Sequence, residues 1–435
     1  MICLVGDILT DVTLSTTPFK MRLGGIAHAA RGLWALGVDY AIAYFAPAYM
    51  DGEIVNYFNQ IGCKRIHKIG NVTGCPYTML IKEVKEVGDQ GYEFLYRDCV
   101  KIEYLEEEAK HLQEYDELFA ISGNFDFNFV LDHCRQDQPI HTDIANNVDR
   151  VAQLPSNKRF KTLFVSTSSG LFRNSFTTIE AFFEQFKPYA ERVVLKENRG
   201  GSRAYDFNAG ELYHVPSQTC AIVHSVGVGD VYDVTAITVD NRSFEDSLYL
   251  ASWVSMHYAK TTFINDIQSA VQGVLKISAD KLQSFSGCLL PWEIRQTCNI
   301  YIAAPDFDFV DATPIDILCN SLAYHNFVPR RPVKENGQIS LNAPKDERQR
   351  LFFGDMRLLD ECNMLIAVLL YNDPGTLIEI GLAAQRGLPT LVYDPNKISD
   401  NCMLTELPTL VSSDLDEIIA KVFTEYSKQY QNGTL

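Results

Sequence analysis

The chain has 435 residues, of which 46% are hydrophobic and 21% are charged. This length and composition correspond to about two or three ordinary globular domains. The formal net charge of −17 argues against a broad nucleic-acid interface, because such interfaces neutralise phosphates with clustered Lys and Arg. Binding of small anions stays open, since backbone N–H groups bind them without a net positive charge.

The cysteines and the start of the chain indicate the compartment. The eleven cysteines are scattered, without a C-x-x-C pair or a His/Cys group at zinc spacing, so we expect free thiols in a reducing environment. Residues 1–9 are apolar but short and carry no basic leader, which is typical of a first strand rather than a signal peptide. No stretch approaches the roughly 18 apolar residues of a membrane span. The sequence therefore predicts a cytoplasmic protein that binds neither membrane nor nucleic acid.

Strand-like and helix-like patterns alternate in the N-terminal part of the chain. The first apolar run, 2–5, precedes Gly6-Asp7, and a helical run over 25–36 ends at Gly37, a residue that favours helix C-caps. Further strands are predicted at 40–45, 117–121, 162–165 and 192–195, with a helix at 179–186. This alternation predicts a parallel sheet flanked by helices. Two runs that interrupt it, 77–84 and 91–96, predict an inserted β-hairpin.

A second β/α series follows a largely helical stretch that runs from Asp230 to about residue 285. Residues 286–297 form the predicted linker. The second series has predicted strands at 299–304, 364–370 and 390–393, and predicted helices at 375–385 and 414–426. We therefore predict an α/β protein of two doubly wound parallel-sheet domains, 1–285 and 298–435, of which the second is long enough to bury its own core.

Three segments of the C-terminal domain carry the residues of a chemical site. They are the strand end that begins with Tyr301, the pair Gly354-Asp355 ahead of a helical run, and the sequence D-P-G-T-L-I-E-I-G over 373–381. Each is predicted at the carboxyl end of a strand or at the start of a helix. Open α/β sheets bind their ligands at these places.

Carboxylates in this arrangement suit cleavage of the bond between a sugar C1′ and a base nitrogen. The reaction builds oxocarbenium character, which a facing carboxylate stabilises or traps while a second acid protonates the departing base. We expect Glu379 in about the first helical turn, where the helix N-terminus favours the ionised form that a nucleophile needs. Asp373 is a candidate to hold sugar hydroxyls. Asp355 is the candidate for proton exchange with the base, and Asp360 competes for that role.

These segments resemble the nucleoside 2-deoxyribosyltransferase family over most of residues 299–394. The family has a strand ending in a Tyr-containing turn, then an Asp, then D-x-G-[ST]-x-x-E-x-G-x-A, for which this chain has D-P-G-T-L-I-E-I-G-L-A over 373–383. The resemblance implies a flavodoxin- or Rossmann-like domain. It also implies Glu379 as the nucleophile, Asp355 as the base-contacting acid and Asp373 as the sugar contact.

The same resemblance implies that Tyr301, Gly375 and Thr376 bind the substrate and that this domain needs no cofactor. In the transferases a neighbouring subunit often completes the site, so we expect a homo-oligomer. The superfamily also contains hydrolases of deoxynucleoside monophosphates and defence-associated enzymes that attack other N-glycosides. The motif therefore predicts the bond that is broken, and leaves transferase and hydrolase both open.

The strongest N-terminal motif is H-S-V-G-V-G-D over 224–230, ahead of a helix. Consecutive backbone N–H groups at a Gly-rich helix start form an anion hole, here at Gly227, Val228 and Gly229. An aspartate at the position of Asp230 can accept the proton of an attacking hydroxyl during phosphoryl transfer.

This motif and the upstream Gly6-Asp7, Asp11 and Gly24-Gly25 resemble the ribokinase-like (PfkB) family of sugar and nucleoside kinases over about residues 1–285. The resemblance implies a ribokinase-like fold whose inserted hairpin is a small β lid. It further implies Asp230 as the catalytic base, Asp11 and Gly25 as substrate contacts, and ATP and Mg as cofactors if the domain is active.

Several residues depart from that family pattern. His224-Ser225 stand where Asp-Thr is usual, and His28 stands near an expected Asn. The nucleotide-binding segment T-x-G-x-x-G of the family appears here as L-K-E-N-R-G-G over 195–201, with Glu197 where the first Gly is expected. Asp233 adds a carboxylate one turn beyond Asp230, which is unfavourable beside a phosphate. His28 and His224 lack a third metal ligand at suitable spacing, so no metal is predicted.

Two hypotheses for the whole chain follow. In the first, the C-terminal domain cleaves or exchanges the N-glycosidic bond of a small nucleoside or nucleotide, and the kinase-like domain phosphorylates or binds a related nucleoside. In the second, the kinase-like domain is an inactive sensor that regulates a C-terminal N-glycosidase acting on a nucleotide such as NAD.

Overall fold

The computed structural model describes residues 1–15, 20–95, 99–144, 147–155, 158–238, 242–340 and 342–435. The chain forms two compact units. The first comprises Met1–Lys85 and Gln90–Leu289, and the second comprises Glu86–Asp89 and Leu290–Leu435. The chain thus passes into the second unit between Leu289 and Leu290, inside the predicted linker.

The first unit is an α/β fold. Its strands are β1 (Ile2–Asp7), β2 (Thr10–Thr13), β3 (Lys20–Leu23), β4 (Tyr40–Ala46), β5 (Arg65–Thr73), β6 (Thr78–Ile81), β7 (Glu93–Phe94), β8 (Lys101–Tyr104), β9 (Glu117–Ile121), β10 (Ile140–Asp143), β11 (Phe160–Ser166), β12 (Ala190–Lys196), β13 (Ser202–Asp206) and β14 (Glu211–Val215). Its helices are α1 (Ile26–Leu36), α2 (Asp51–Gln60), α3 (Glu106–Ala109), α4 (Phe127–Asp132), α5 (Gly170–Ser175), α6 (Ile179–Glu184), α7 (Val228–Thr238), α8 (Phe244–Ala259), α9 (Ile264–Val274) and α10 (Ala279–Gln283).

Ten strands form the main sheet, in the order β14-β13-β12-β11-β10-β9-β1-β4-β5-β8. From β12 to β5 all neighbours are parallel, and antiparallel strands close both edges. Every residue of β1 and β4 is buried, as expected for parallel strands covered on both faces. Helix α1 ends where predicted, at Gly37, which adopts the left-handed conformation with φ 76°. The predicted parallel, helix-flanked sheet is confirmed.

The predicted hairpin is part of a larger feature. Strands β6 and β7 pair antiparallel as predicted, but β6 also pairs with β2, which pairs with β3, so that the small sheet has the order β3-β2-β6-β7. The last residue of the predicted second arm, Tyr96, lies outside the described residues. The sequence pattern did not predict β2 and β3, because each has only four residues and partly exposed positions.

The second unit has a five-stranded, all-parallel sheet in the order β16-β15-β17-β18-β19. Its strands are β15 (Asn299–Ala303), β16 (Val328–Arg330), β17 (Met364–Val368), β18 (Thr390–Tyr393) and β19 (Leu410–Ser412). Its helices are α11 (Trp292–Arg295), α12 (Thr313–Tyr324), α13 (Pro332–Asn336), α14 (Lys345–Asp360), α15 (Pro374–Gln385), α16 (Cys402–Glu406) and α17 (Leu415–Gln431). The predicted fold class, two α/β units with parallel-rich sheets, is confirmed.

Part of the predicted linker folds into the second unit. Helix α11 lies within it, and Arg295 is fully buried with its guanidinium 4.9 Å from the centre of the Phe423 ring. Among the described residues, no helix is both long and apolar enough to cross a membrane.

Candidate functional site

The C-terminal site is organised by a hydrogen bond between Tyr301 and Glu379. Tyr301 lies on the buried strand β15, and its hydroxyl donates to Glu379 Oε1 at 2.6 Å. Tyr301 is the third of the five residues of β15, and α15, which contains Glu379, follows the adjacent parallel strand β17, so the fold brings the two side chains together. The bond holds the Glu379 carboxyl in one orientation.

Glu379 differs from the sequence prediction in its position and in the direction of its pKa shift. It is the sixth residue of α15 and therefore lies in the second turn rather than the first. Burial raises its pKa to about 7, the hydrogen bond from Tyr301 opposes that rise, and the negative charges of Asp355 and Asp373 add to it. The expected stabilisation of the ionised form by the helix N-terminus does not prevail, because desolvation of the carboxylate is the larger effect.

Asp355 also differs in its placement. The sequence suggested that it precedes a helix, but it is the eleventh residue of α14, because strong helix formers surround Gly354 and a single interior glycine costs only about 1 kcal/mol. Asn336, which the sequence reasoning missed, donates to Asp355 Oδ1 at 2.8 Å. Burial raises the pKa of Asp355, and this hydrogen bond moderates the rise.

The competing candidate, Asp360, occupies a different environment. Its side chain is 65% exposed and pairs with Arg386 at 2.7 Å. Asp355, by contrast, is half-buried and close enough to Glu379 and Tyr301 to raise the pKa of both. The structure thus brings Tyr301, Asp355 and Glu379 together and leaves Asp360 at the surface.

Asp373 and Thr376 form the start of α15. Asp373 is the N-cap, and its Oδ2 accepts hydrogen bonds from the Thr376 backbone N–H at 2.8 Å and from the Thr376 hydroxyl at 3.0 Å. A Cβ at Gly375 would lie 3.1 Å from the same oxygen, so glycine leaves space for the cap. The loop sequence D-P-G-T therefore has a structural role beside the substrate contacts that the family resemblance implies.

The arrangement has the parts for glycosyl transfer. A half-buried carboxyl is oriented by a phenol, and a second carboxyl with a raised pKa lies close to it. A raised pKa lets a carboxyl group keep its proton to higher pH than usual. One group can attack or stabilise a cationic carbon while the other donates a proton.

The predicted N-terminal site lies at the start of α7. Gly227 has φ 83°, and a Cβ there would fall 2.2 Å from the His28 ring, so only glycine fits. Val228 and Gly229 begin the helix, and Asp230 is in its first turn. Burial and the neighbouring Asp143 raise the pKa of Asp230 to about 7, against the lowering effect of Lys196.

The predicted substrate contact Asp11 is engaged by the protein itself. It is buried, and its Oδ2 is 2.9 Å from His28 Nε2. The other ring nitrogen of His28 lies 2.9 Å from the Tyr258 hydroxyl. Burial raises the pKa of Asp11 to about 6, although Arg22 and Arg31 lower it.

Gly25 and His224 also lie close to other groups of the protein. Gly25 precedes α1 with φ 61°, and a Cβ there would collide with the Asp7 carbonyl. His224 Nδ1 lies 2.9 Å from an Arg22 guanidinium nitrogen. Burial, with Arg22 as the next cause, lowers the pKa of His224 to about 3, so its ring is neutral.

A buried lysine, which the sequence reasoning missed, lies among the acidic residues. Lys196 Nζ is 2.7 Å from Asp143 Oδ2 and 2.7 Å from Asp233 Oδ2. Oxygens of Asp143, Asp230 and Asp233 all lie within 4.8 Å of one another. The signal available in the sequence was that Asp143 and Lys196 each end a strand of one parallel sheet.

The segment over 195–201, for which the resemblance implies nucleotide binding, also contains an internal ion pair. Glu197, which stands where the family has its first glycine, pairs with Arg203, and both side chains are 2% exposed. ATP and Mg fit this unit poorly. The acidic centre already contains the Lys196 ammonium, and the expected glycine is replaced by a carboxylate that is committed to a buried ion pair.

A known family matches part of the second unit. The profile of the family Nucleoside 2-deoxyribosyltransferase matches residues 300–410, which include Tyr301, Asp355 and Glu379. The predicted resemblance of the C-terminal unit is thereby confirmed. A comparison with curated proteins returns no match.

Similar solved structures include two ribokinases. That of Arabidopsis thaliana, complexed with ribose and ATP, has 13% identity over 64% of this chain and 99% of its own, with a TM-score of 0.45. That of Thermotoga maritima has 14% identity over 64% and 99%, with a TM-score of 0.45. The tetrameric inhibited form of Escherichia coli phosphofructokinase-2 has 14% identity over 63% and 100%, with a TM-score of 0.46.

Proposed function

We propose that the second unit cleaves or exchanges an N-glycosidic bond of a nucleoside or nucleotide, with Glu379 as nucleophile and Asp355 as proton donor. The observation that carries the proposal is the 2.6 Å hydrogen bond from Tyr301 to Glu379, with Asp355 near enough to raise the pKa of Glu379. The family match over residues 300–410 supports the same reaction class.

In the first step, ionised Glu379 attacks C1′ of the sugar. Tyr301 holds Oε1, so Oε2 forms the new C–O bond. The C1′–N bond breaks, its electron pair stays on the base nitrogen, and that nitrogen takes the proton of Asp355. The products are a glycosyl ester on Glu379, a neutral base and an Asp355 carboxylate.

In the second step, water or a second base attacks C1′ of the ester. Asp355 accepts the proton of the attacking group, the ester C–O bond breaks, and its electron pair restores the Glu379 carboxylate. Two displacements at one carbon retain its configuration. Water makes the unit a hydrolase and a base makes it a transferase. A homo-oligomer whose neighbouring subunit completes the site is part of this proposal.

The test is base release by the full-length chain from a panel of 2′-deoxynucleosides, ribonucleosides and their 5′-monophosphates. Glu379→Gln keeps an acceptor for the Tyr301 hydroxyl but removes the nucleophile, so release should fall by on the order of 10³-fold or more. Glu406→Gln, a change at an exposed position of α16, is the control and should match the wild type. Full activity in Glu379→Ala would exclude Glu379 as the nucleophile.

A second candidate concerns the first unit and is favoured by its internal contacts. The Glu197–Arg203 pair and the Asp11–His28 contact occupy places where a kinase would contact nucleotide and sugar. In this candidate the first unit is an inactive sensor, and the second unit is a regulated N-glycosidase for a nucleotide such as NAD. ATP turnover measured with a nucleoside panel separates the two. Turnover that Asp230→Asn abolishes would establish an active kinase and exclude the sensor.

A further inference from the structure

The centre of the first unit contains one lysine among three aspartates. Lys196 is the last residue of β12, Asp143 is the last residue of β10, and Asp230 and Asp233 lie in successive turns of α7. The Lys196 ammonium contacts Asp143 and Asp233 at 2.7 Å each, and these side chains are 13%, 4% and 0% exposed respectively. The ion pairs are therefore shielded from water.

We propose that the Lys196 ammonium takes the place of a divalent cation in this centre. The first unit therefore has a kinase-like fold but does not transfer phosphoryl groups. The inference is independent of the reaction proposed for Glu379, which belongs to the second unit.

The position of the ammonium supports this role. Nζ lies 3.2 Å from the Cβ that Gly229 would carry, which places it beside the backbone at the start of α7. A divalent cation between Asp143 and Asp233 would be repelled at short range by the Lys196 ammonium. The two carboxyl groups that would attract the cation are already paired with that ammonium. The cation site is thus filled by a group that cannot dissociate from the chain.

The same centre is unfavourable for a nucleotide phosphate. Lys196 contacts the carboxyl groups of Asp143 and Asp233, and Asp230 adds a third within 4.8 Å of them, so three acidic side chains surround one ammonium. One oxygen of Asp233, Oδ1, is buried and has no hydrogen-bond partner in the described part of the chain. The ammonium is therefore committed to acidic side chains, and a phosphate would have to compete with them for it.

Lys196 is held in place by the cost of separating these groups. Moving the ammonium away would leave Asp143 and Asp233 buried without their counter-ion, which is strongly unfavourable. The ammonium also lies 5.8 Å from the centre of the Phe164 ring, on the strand between β10 and β12. Replacing Lys196 with an uncharged residue should consequently open a three-carboxylate site for a divalent cation.

The experiment is a titration of the full-length chain with Mn²⁺, followed by the loss of the free-ion electron paramagnetic resonance signal. Lys196→Met should bind one more Mn²⁺ per chain than the wild type, with at least tenfold higher affinity, and adding Asp143→Asn should remove that ion. Lys196→Arg keeps the cation and should match the wild type. The wild type and Asp143→Asn should bind Mn²⁺ equally, because any Mn²⁺ that both proteins bind lies outside this centre.

Two results would overturn the proposal. One is a Mn²⁺ ion bound by the wild type and lost in Asp143→Asn. The other is ATP hydrolysis by the wild type that Asp230→Asn abolishes. Each measurement compares the wild type with an isosteric variant, Asp143→Asn or Asp230→Asn. The two measurements therefore decide the question even if Lys196→Met does not fold. Circular dichroism melting of each variant checks that a loss of binding is not a loss of structure.

Discussion

Replacing Tyr301 with Phe removes the hydroxyl that donates to Glu379 Oε1 and leaves the ring in its buried position. The bond stabilises the ionised carboxylate, so its loss should raise the pKa of Glu379 above the present value of about 7. A hydrogen bond to a charged group contributes about 1.5–3 kcal/mol, and about 1.4 kcal/mol corresponds to one pKa unit, so the expected rise is about one to two units.

Carboxyl ¹³C NMR of chain labelled at glutamate measures this pKa without knowledge of the substrate. The Glu379 signal is assigned by its absence in Glu379→Gln, and Tyr430→Phe on the last helix is the control, with no shift expected. Because Glu379 must be ionised to attack, the acid limb of kcat/KM should move to higher pH by the same amount. An unchanged or lowered pKa in Tyr301→Phe would refute the assigned role of the phenol.

Further changes test the other groups. Asp355→Asn removes a like charge and should lower the pKa of Glu379 in the same NMR titration. It should also slow the release of bases that are poor leaving groups by about 10²–10⁴-fold relative to bases that are good leaving groups. Equal slowing for all bases would argue against proton donation by Asp355. Asp373→Ala should lower the free energy of unfolding by about 1 kcal/mol in urea denaturation, whereas Asp373→Ser keeps the helix cap. A raised KM in both variants would identify Asp373 as a sugar contact. A wild-type KM in Asp373→Ser would exclude that contact. Arg203→Met removes the ion-pair partner of buried Glu197 and should destabilise the first unit by about 3–5 kcal/mol, with recovery when Glu197→Met is added; denaturation that is unchanged in the single variant would contradict this.

Much of the fold was predictable because its strands are buried runs of apolar residues. The patterns at β1, β4 and β17 identified parallel strands, and the family motif identified the loop before α15. The error at Asp355 had a local cause, since Gly354 was read as a boundary although it lies inside α14.

The charge states of the site could not be predicted, because they depend on tertiary burial. Glu379 was expected to be ionised by its helix, and desolvation instead raises its pKa to about 7. The contact of Lys196 with Asp143 joins residues 53 positions apart, and only the order of the strands in the sheet brings them together. Sequence reasoning singled out Glu379, Asp355, Asp230 and Asp233, and missed Asp143, Lys196, Asn336 and the Tyr301 hydrogen bond.

Trapping of the glycosyl-enzyme tests the central claim most directly. The full-length chain is incubated with a 2′-fluoro nucleoside, whose fluorine slows both displacements by destabilising the oxocarbenium-like transition states, and the digested protein is analysed by mass spectrometry. The account predicts one fluorinated sugar on the peptide that contains Glu379, located on that residue by fragmentation and absent from Glu379→Gln. A sugar attached to another residue, or full turnover of natural nucleosides by Glu379→Ala, would contradict it.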